Sequence, residues 1–462
     1  MKRVLNKKIW VIGLLMALLM IPLTLIDQVV YERSSFRDEA KASIAQSWTA
    51  EQQLVGPLLV IPYKAHYQQK VWNTDQKGYR LEDRFYEKKL YLTPEQLTIT
   101  GDVSTDSRKR GIYSVPVYQS MLKLNGSFDM RQLAQFEKSS EHRIEWQPGY
   151  LSVMVSDVRG VKEQPLLHWQ GETFEFLSDT QVDNMRNGMR APLGSVDDIE
   201  GSAAFDFSLP LHGMELLQFS PVGKNTAVKL HADWPDPSFI GRYLPTERTI
   251  DENGFTASWQ ISSFSSGMPQ LISECQAGNC NALINDVFGV RLFNSVDIYQ
   301  LSERSVKYAL LFIGLTFVCF FLFEVMKGLR LHPMQYLLVG LGLSVFYLLL
   351  ISLSEHMAFA MAYLTATLAS TLLIGYYVSH VLGSFRLGGA ITLGLLLLYA
   401  MLYGILHSED NALLMGSLLI FGILSLVMVA TRRIDWYTIS DSMANSASNG
   451  AETDLIASSD TP

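Results

Sequence analysis

Apolar positions along this chain fall into two regimes. Six runs, 9–26, 308–326, 336–353, 357–378, 387–406 and 412–430, are apolar for long enough to cross a hydrocarbon core of about 30 Å as helix, which takes ~20 residues. One run stands alone at the start, and five crowd the last third. A long stretch of mixed polarity separates them. The pattern predicts an integral membrane protein with one large extramembrane insert. After the first run, Val29, Arg33, Phe36, Ala40, Ile44 and Trp48 keep a near-helical spacing. The first helix is therefore expected to continue to about Ser47 before Gly56-Pro57 breaks it.

The insert has a β texture. Apolar and polar residues alternate over 97–103, 112–118, 121–128, 151–158, 174–177, 205–209, 228–234 and 255–261, and the continuous apolar run 58–61 reads as a first strand. Turn formers separate the runs, Asn125-Gly126 and Pro148-Gly149 among them. The segments 130–136 and 181–188 are expected as short helices. The insert is expected to return to the membrane through 288–292 and 296–301. Short alternating strands between turns predict a sandwich or related all-β architecture, as one elongated domain or two stacked ones.

Charge then fixes an orientation. Lys2, Arg3, Lys7 and Lys8 precede the first span, Lys327 and Arg330 lie between spans two and three, Arg386 lies between four and five, and Arg432 and Arg433 follow span six. The turns 354–356 and 407–410 hold no Lys or Arg. If all six runs cross, every basic turn falls on one side, as the positive-inside rule requires. Both termini are then cytoplasmic and the insert is exterior. No small-residue cleavage pattern follows Ile26, so the first run is read as an uncleaved signal-anchor. A net charge of -8 argues against nucleic acid as a partner, which would want a basic face.

The insert holds no Gly-x-Ser-x-Gly elbow and no His-Glu-x-x-His, and His66, His142, His168, His212 and His231 are scattered without ligand spacing. Cys275 and Cys280 are spaced for a small-loop disulfide in an oxidising exterior, while Cys319 lies inside span two. Glu324 stands three residues before Lys327, a salt-bridge spacing on a helix. No charged residue occupies the middle of a span, which weakens an ion-coupled carrier. Gly340, Gly342, Gly388, Gly416 and Gly422 are read as close-packing positions between helices.

Two groups remain as candidate sites. Glu355 and His356 in one basic-poor turn, with His407, Glu409 and Asp410 in the other, form a candidate polar cluster at the outer mouth of the bundle. Such a cluster can bind a divalent cation or relay protons, although short exterior turns need polar residues in any case. Trp234, Pro235, Asp236, Pro237 and Phe239 form a loop stiffened by two prolines, suited either to recognition or to capping the sandwich core.

Several strings, in order, carry a family resemblance: Ser43-Ile44-Ala45-Gln46-Ser47-Trp48 with Gly56-Pro57-Leu58-Leu59-Val60-Ile61-Pro62-Tyr63, the 234–239 loop, Lys307-Tyr308-Ala309-Leu310-Leu311-Phe312-Ile313, His332-Pro333-Met334-Gln335-Tyr336, Phe346-Tyr347-Leu348-Leu349-Leu350, Ser354-Glu355-His356, and Thr431-Arg432-Arg433-Ile434-Asp435-Trp436-Tyr437. With these the chain resembles, nearly end to end, the CreD family of bacterial inner-membrane proteins. The resemblance implies a part in envelope integrity, expression tied to a two-component sensor, and links to colicin tolerance and β-lactam response. It supplies no catalytic residue. The acidic tail after Tyr437 lies outside the pattern and reads as disordered.

The chain is thus read as an α+β membrane protein with six transmembrane helices, one N-terminal and five C-terminal, and a large all-β periplasmic insert. The expected parts are the start and signal-anchor (1–30), the periplasmic β-rich domain (31–304), a five-helix bundle (305–431) and a cytoplasmic tail (432–462). The expected function is that of a non-enzymatic envelope-integrity and stress-response protein without cofactor. Its expected partners are the lipid bilayer and periplasmic envelope proteins or cell-wall material, with no nucleic acid. The alternative is a membrane-embedded enzyme or ion- or metal-handling protein using the outer polar cluster.

Overall fold

The computed structural model describes residues 3–73, 78–292, 297–327, 331–408 and 412–432. Its elements group into two units, a helical one drawn from Met1–Arg37 and Val296–Pro462 and a β unit from Asp38–Ser295. Helix α1 (Arg3–Ser47) belongs to both, its first part to the helical unit and its last turns to the β unit. Within the β unit lie the short helices α2 (Arg131–Ser139), α3 (Ser263–Ser266), α4 (Met268–Gln276) and α5 (Asn281–Asn285). The helical unit continues with α6 (Ile298–Lys327), α7 (Pro333–Ser354), α8 (Phe359–Val381), α9 (Phe385–His407) and α10 (Ala412–Thr431). Among the described residues, α1 and α6–α9 are long and apolar enough to cross a membrane, and α10 is a shorter apolar helix, giving six candidate spans.

The β unit consists of two sheets, of nine and eight strands among the described residues. Strand Gln52–Asn73 lies at the centre of the first, pairing with Leu216–Phe219, Gly149–Val155, Arg143–Trp146 and Gly78–Leu92. Residues 54–61 are buried without alternation, because a strand covered on both faces has no solvent side to keep polar. In the second sheet Tyr113–Asp129 pairs on one edge with Gln96–Arg110 and on the other with Ser202–Met214. Here alternation is clean: Leu122, Leu124 and Phe128 turn inward to meet Phe205, Phe207 and Leu209. One hydrophobic core draws on both sheets, with the Trp259 ring tilted against Phe288 at 5.6 Å and Phe239 standing edge-on to Phe255 and Trp259.

Several sequence expectations need correction. Asn125-Gly126 is not a turn: 112–118 and 121–128 merge into one strand, because both edges of Tyr113–Asp129 are occupied by ladders that run through the dipeptide. Gly126 is glycine for packing, since a Cβ there would meet the Gln96 carbonyl oxygen and stand 2.9 Å from the Phe205 ring. Segment 181–188 is not helical; Gln181 and Asn184 take positive φ, and Gly188 already starts a strand. Phe288–Leu292 is not a membrane re-entry but a buried strand between Pro237–Gly241 and Leu216–Phe219. The first strand begins at Gln52, six residues earlier than the apolar run 58–61 suggests.

In the helical unit, small residues set some of the approaches. A Cβ on Gly340 would meet Leu19 of α1 and lie 3.0 Å from Phe317 of α6, and one on Gly388 would collide with the Ser379 hydroxyl of α8. Gly416 and Gly422, expected to pack alike, face open space.

Candidate functional site

Polar side chains gather at two places in the helical unit. The first is built on Glu355, which follows the last residue of α7 as its C-cap. Its carboxylate, with the side chain 7% exposed, accepts the Tyr299 hydroxyl at 3.3 Å and lies 3.7 Å from Arg33 Nε. One turn further along α1, Arg37 donates to Asp297 Oδ2 at 2.6 Å and lays its guanidinium 5.5 Å from the Tyr299 ring centre. The other oxygen of Asp297 accepts the Tyr299 and Gln300 amides, capping the first turn of α6. Two arginines of α1 thus meet one carboxylate from the start of α6 and one from the end of α7. The opposite charges balance, which is what a partly desolvated site requires.

The second place is built on Glu324, whose side chain is 3% exposed on α6. It accepts Lys8 of α1, the Leu331 amide at 3.0 Å and the Tyr336 hydroxyl at 3.0 Å. Leu331 lies just ahead of α7, where His332 and Gln335 form a capping box, so the carboxylate also faces the positive end of that helix. The expected partner Lys327 has no described side chain. Lys8 and Arg33 are separated by about 38 Å of helix at 1.5 Å per residue, close to a bilayer with its headgroup regions. The two ionic sites therefore bracket a membrane-length segment of α1 and fasten both its ends to α6 and α7.

Of the polar residues singled out in the sequence, the described ones each make their own contacts. Glu355 turns to Arg33 and Tyr299, whereas His356 is exposed and its Nδ1 lies 3.1 Å from the Ser352 carbonyl. His407 lies tilted against Tyr403 with ring centres 4.2 Å apart and stands 6.3 Å from Phe359. Glu409 and Asp410 lie outside the described residues. Among the described residues no three His, Cys, Asp or Glu side chains are grouped to hold a metal ion. In the loop, Pro235 and Asp236 are exposed while Trp234 and Phe239 pack against the core, and Pro237–Gly241 pairs as a strand with Phe288–Leu292. Cys275 and Cys280, both buried, are joined by a disulfide between α4 and α5.

Arg33, Arg37, Asp297 and Tyr299 were not identified from sequence. A signal existed: Arg33 and Arg37 stand one turn apart just beyond the first apolar run, at the end opposite its basic flank. Two cations there call for acidic partners.

Within the β unit a third polar group holds the end of α1. Ile44 packs with Val115, Val117 and Met214, and Lys41 pairs with Glu215 at 2.8 Å. Arg159 donates to the carbonyls of Ala45 and Gln46, the orphan acceptors of the last helical turn, while chelating Asp157. Burial works to raise the Asp157 pKa, but the bonds from Arg159 and from the Ala50 amide outweigh it and hold the carboxyl below its ordinary range. Trp48 stacks on His212 at 5.3 Å and carries the Arg108 guanidinium over its ring at 4.5 Å. Burial, and then the nearby Lys162 charge, push the His212 pKa down. These three sites hold charge and helix ends in place. None pairs a nucleophile with a base.

A family model described as inner membrane protein CreD matches residues 4–437. The inner membrane protein CreD of Escherichia coli is 36% identical over 428 residues, covering 92% of this chain and 92% of its own. Among solved structures, an M1 zinc metallopeptidase mutant from Deinococcus radiodurans aligns over 37% of this chain and 38% of its own, at 8% identity and a TM-score of 0.20. That likeness is too slight to bear on fold or activity.

Proposed function

Because the chain belongs to the CreD family of inner membrane proteins, we propose that it acts as a non-enzymatic envelope-integrity protein whose β unit stands in the periplasm and recognises envelope proteins or cell-wall material there. The observation that carries this reading is the insertion of the whole β unit between α1 and α6, with a disulfide inside it. A disulfide favours an oxidising compartment. The basic residues before α1 and at Arg386 and Arg432 favour a cytoplasmic location for the other ends of the helices. Both termini are then cytoplasmic. Binding at the β unit reaches the membrane through α1, which is fastened at Arg159 and Lys41 in one unit and at Glu355, Asp297 and Glu324 in the other.

Cysteine labelling of the full-length protein tests the orientation. An impermeant maleimide is expected to label Phe264→Cys in intact spheroplasts, and Ser446→Cys only after lysis. The reverse pattern overturns the topology. Crosslinking of the intact protein in cells tests the partner, and reproducible absence of any envelope protein or glycan adduct counts against recognition.

A further inference from the structure

In the helical unit, α6, α9 and α10 leave a cleft of about 500 Å³ between them. Phe320 and Leu395 lie buried in it, and Phe323, Gly394, Ile423 and Val427 form its sides. A Cβ on Gly394 would find nothing within 4 Å, so the glycine leaves that side open. The one side-chain hydroxyl in the lining, on Thr316, already donates to the Phe312 carbonyl at 2.8 Å. Beyond the Cys319 thiol the lining side chains offer nothing to a polar ligand. Towards their other ends α9 and α10 close up, where a Cβ on Gly404 would stand 3.3 Å from Met415.

The depth of the cleft fits one leaflet. On α9 its lining runs from Ala390 to Leu398, about 6 to 18 Å along the axis from Arg386 at 1.5 Å per residue. The hydrocarbon of one leaflet is about 15 Å deep, half of a core of about 30 Å. An apolar cleft at that depth stays dry, and close packing leaves no void of this size empty, so a lipid chain is the filling at hand. Arg386, Ala390, Gly394 and Leu397 stand at i, i+4, i+8 and i+11, on one face of α9. Arg386 is exposed and has no ion-pair partner among the described residues. Arg432, exposed just past the end of α10, is likewise unpaired there and adds a second cation at this end. Among the described residues the acid at this end is Glu324, which Lys8 already binds.

We propose that the cleft seats one acyl chain of an anionic phospholipid whose headgroup phosphate meets Arg386. The chain supplies the apolar filling, and the guanidinium, a planar fork of donors, matches the phosphate oxygens. One basic side chain near an anionic headgroup adds about fivefold in affinity. Net charge then decides between lipids. A zwitterionic lipid brings the same chain and a phosphate, but also a cation of its own, which the charges of Arg386 and Arg432 oppose. The cleft is built from three helices of one unit, so the inference stands apart from whatever the β unit recognises.

The test uses the full-length protein in phosphatidylcholine nanodiscs holding a trace of phosphatidylglycerol with a photoreactive diazirine on its acyl chain. After irradiation, mass spectrometry maps the adducts. They are expected to concentrate on 315–323 and 390–398, and a phosphatidylcholine probe with the same chain is expected to give about fivefold fewer there. Arg386→Gln is expected to bring the two probes level. Gly394→Leu, which puts a side chain into the open side of the cleft, is expected to remove the adducts of both probes from these segments with thermal unfolding unchanged. Should that variant unfold, Arg386→Gln decides alone, because it alters an exposed position and no packing. Adducts spread evenly over the helices, or a phosphatidylcholine probe that labels the cleft as strongly as phosphatidylglycerol, overturn the proposal and leave only unselected bilayer lipid. So does a dimer in which both segments are shielded from either probe, which would assign the cleft to a second copy.

Discussion

Glu324 offers the sharpest test of how α1 is fixed. Replacing it with Ala removes the acceptor for Lys8, for the Leu331 amide and for the Tyr336 hydroxyl together. Breaking a buried ion pair by removing one partner costs roughly 3–5 kcal/mol. Lys8 is 27% exposed, and that partial solvation moves the expectation to about 3 kcal/mol. Tyr336→Phe removes one hydrogen bond, and such bonds between membrane helices average about 0.6 kcal/mol, reaching ~1.7. Glu324→Gln keeps an oxygen for Lys8 and the Leu331 amide, which share Oε1, but loses the charge and turns its NH2 toward the Tyr336 hydroxyl, so it falls between. The order of losses is then Ala, Gln, Phe. Denaturant titration in mixed micelles, followed by tryptophan fluorescence, measures each loss. A cycle of Lys8→Gln with Glu324→Gln is expected to show coupling above about 1 kcal/mol. A loss below about 0.5 kcal/mol for Glu324→Ala, or a coupling near zero, would refute the clamp and leave Lys8 as a residue that merely snorkels to the interface.

Gly126→Ala is expected to destabilise the β unit by more than about 2 kcal/mol, since the new methyl would meet the Gln96 carbonyl and the Phe205 ring inside a doubly paired strand; an unchanged melt would refute the packing reading. His212, its pKa lowered in the fold, contributes fully only above the ordinary histidine value near 6.5, because below that pH the unfolded chain takes up the proton first. Stability is therefore expected to fall as pH drops from 7 toward 5, and His212→Gln is expected to flatten that slope in pH-resolved melts. Opening the Cys275–Cys280 disulfide, which spans a sequence separation of 5, is expected to cost about 2 kcal/mol by loop entropy, read as a lower melting midpoint in reductant.

The sequence by itself determined which runs form helices apolar enough to cross a membrane and where most of the strands lie. Both readings rest on periodicity along the chain: unbroken apolar runs have no stable place outside lipid or a core, and alternation reports a strand with one dry face. The length of α1 was legible in the same way, from Val29 through Trp48. Glycine was legible only as a residue type, so Gly126 read as a turn although Phe205, far along the chain, is what requires it. Phe288–Leu292 read as approach to the membrane because a buried strand and an interfacial segment share one apolar pattern; its two neighbouring strands decide the matter.

Partners were decided only by the tertiary structure. Glu355 was visible as an acid in a polar turn, but its partners are Tyr299, 56 residues earlier, and Arg33 on the first helix. Arg37 and Asp297 are separated by 260 residues, Lys8 and Glu324 by 316. No local periodicity encodes such distances. They follow from three helices packing side by side, with a β unit of more than half the chain inserted between the first and the second. The sequence specified which charges lie near the ends of the spans. Helix packing specified which of them meet.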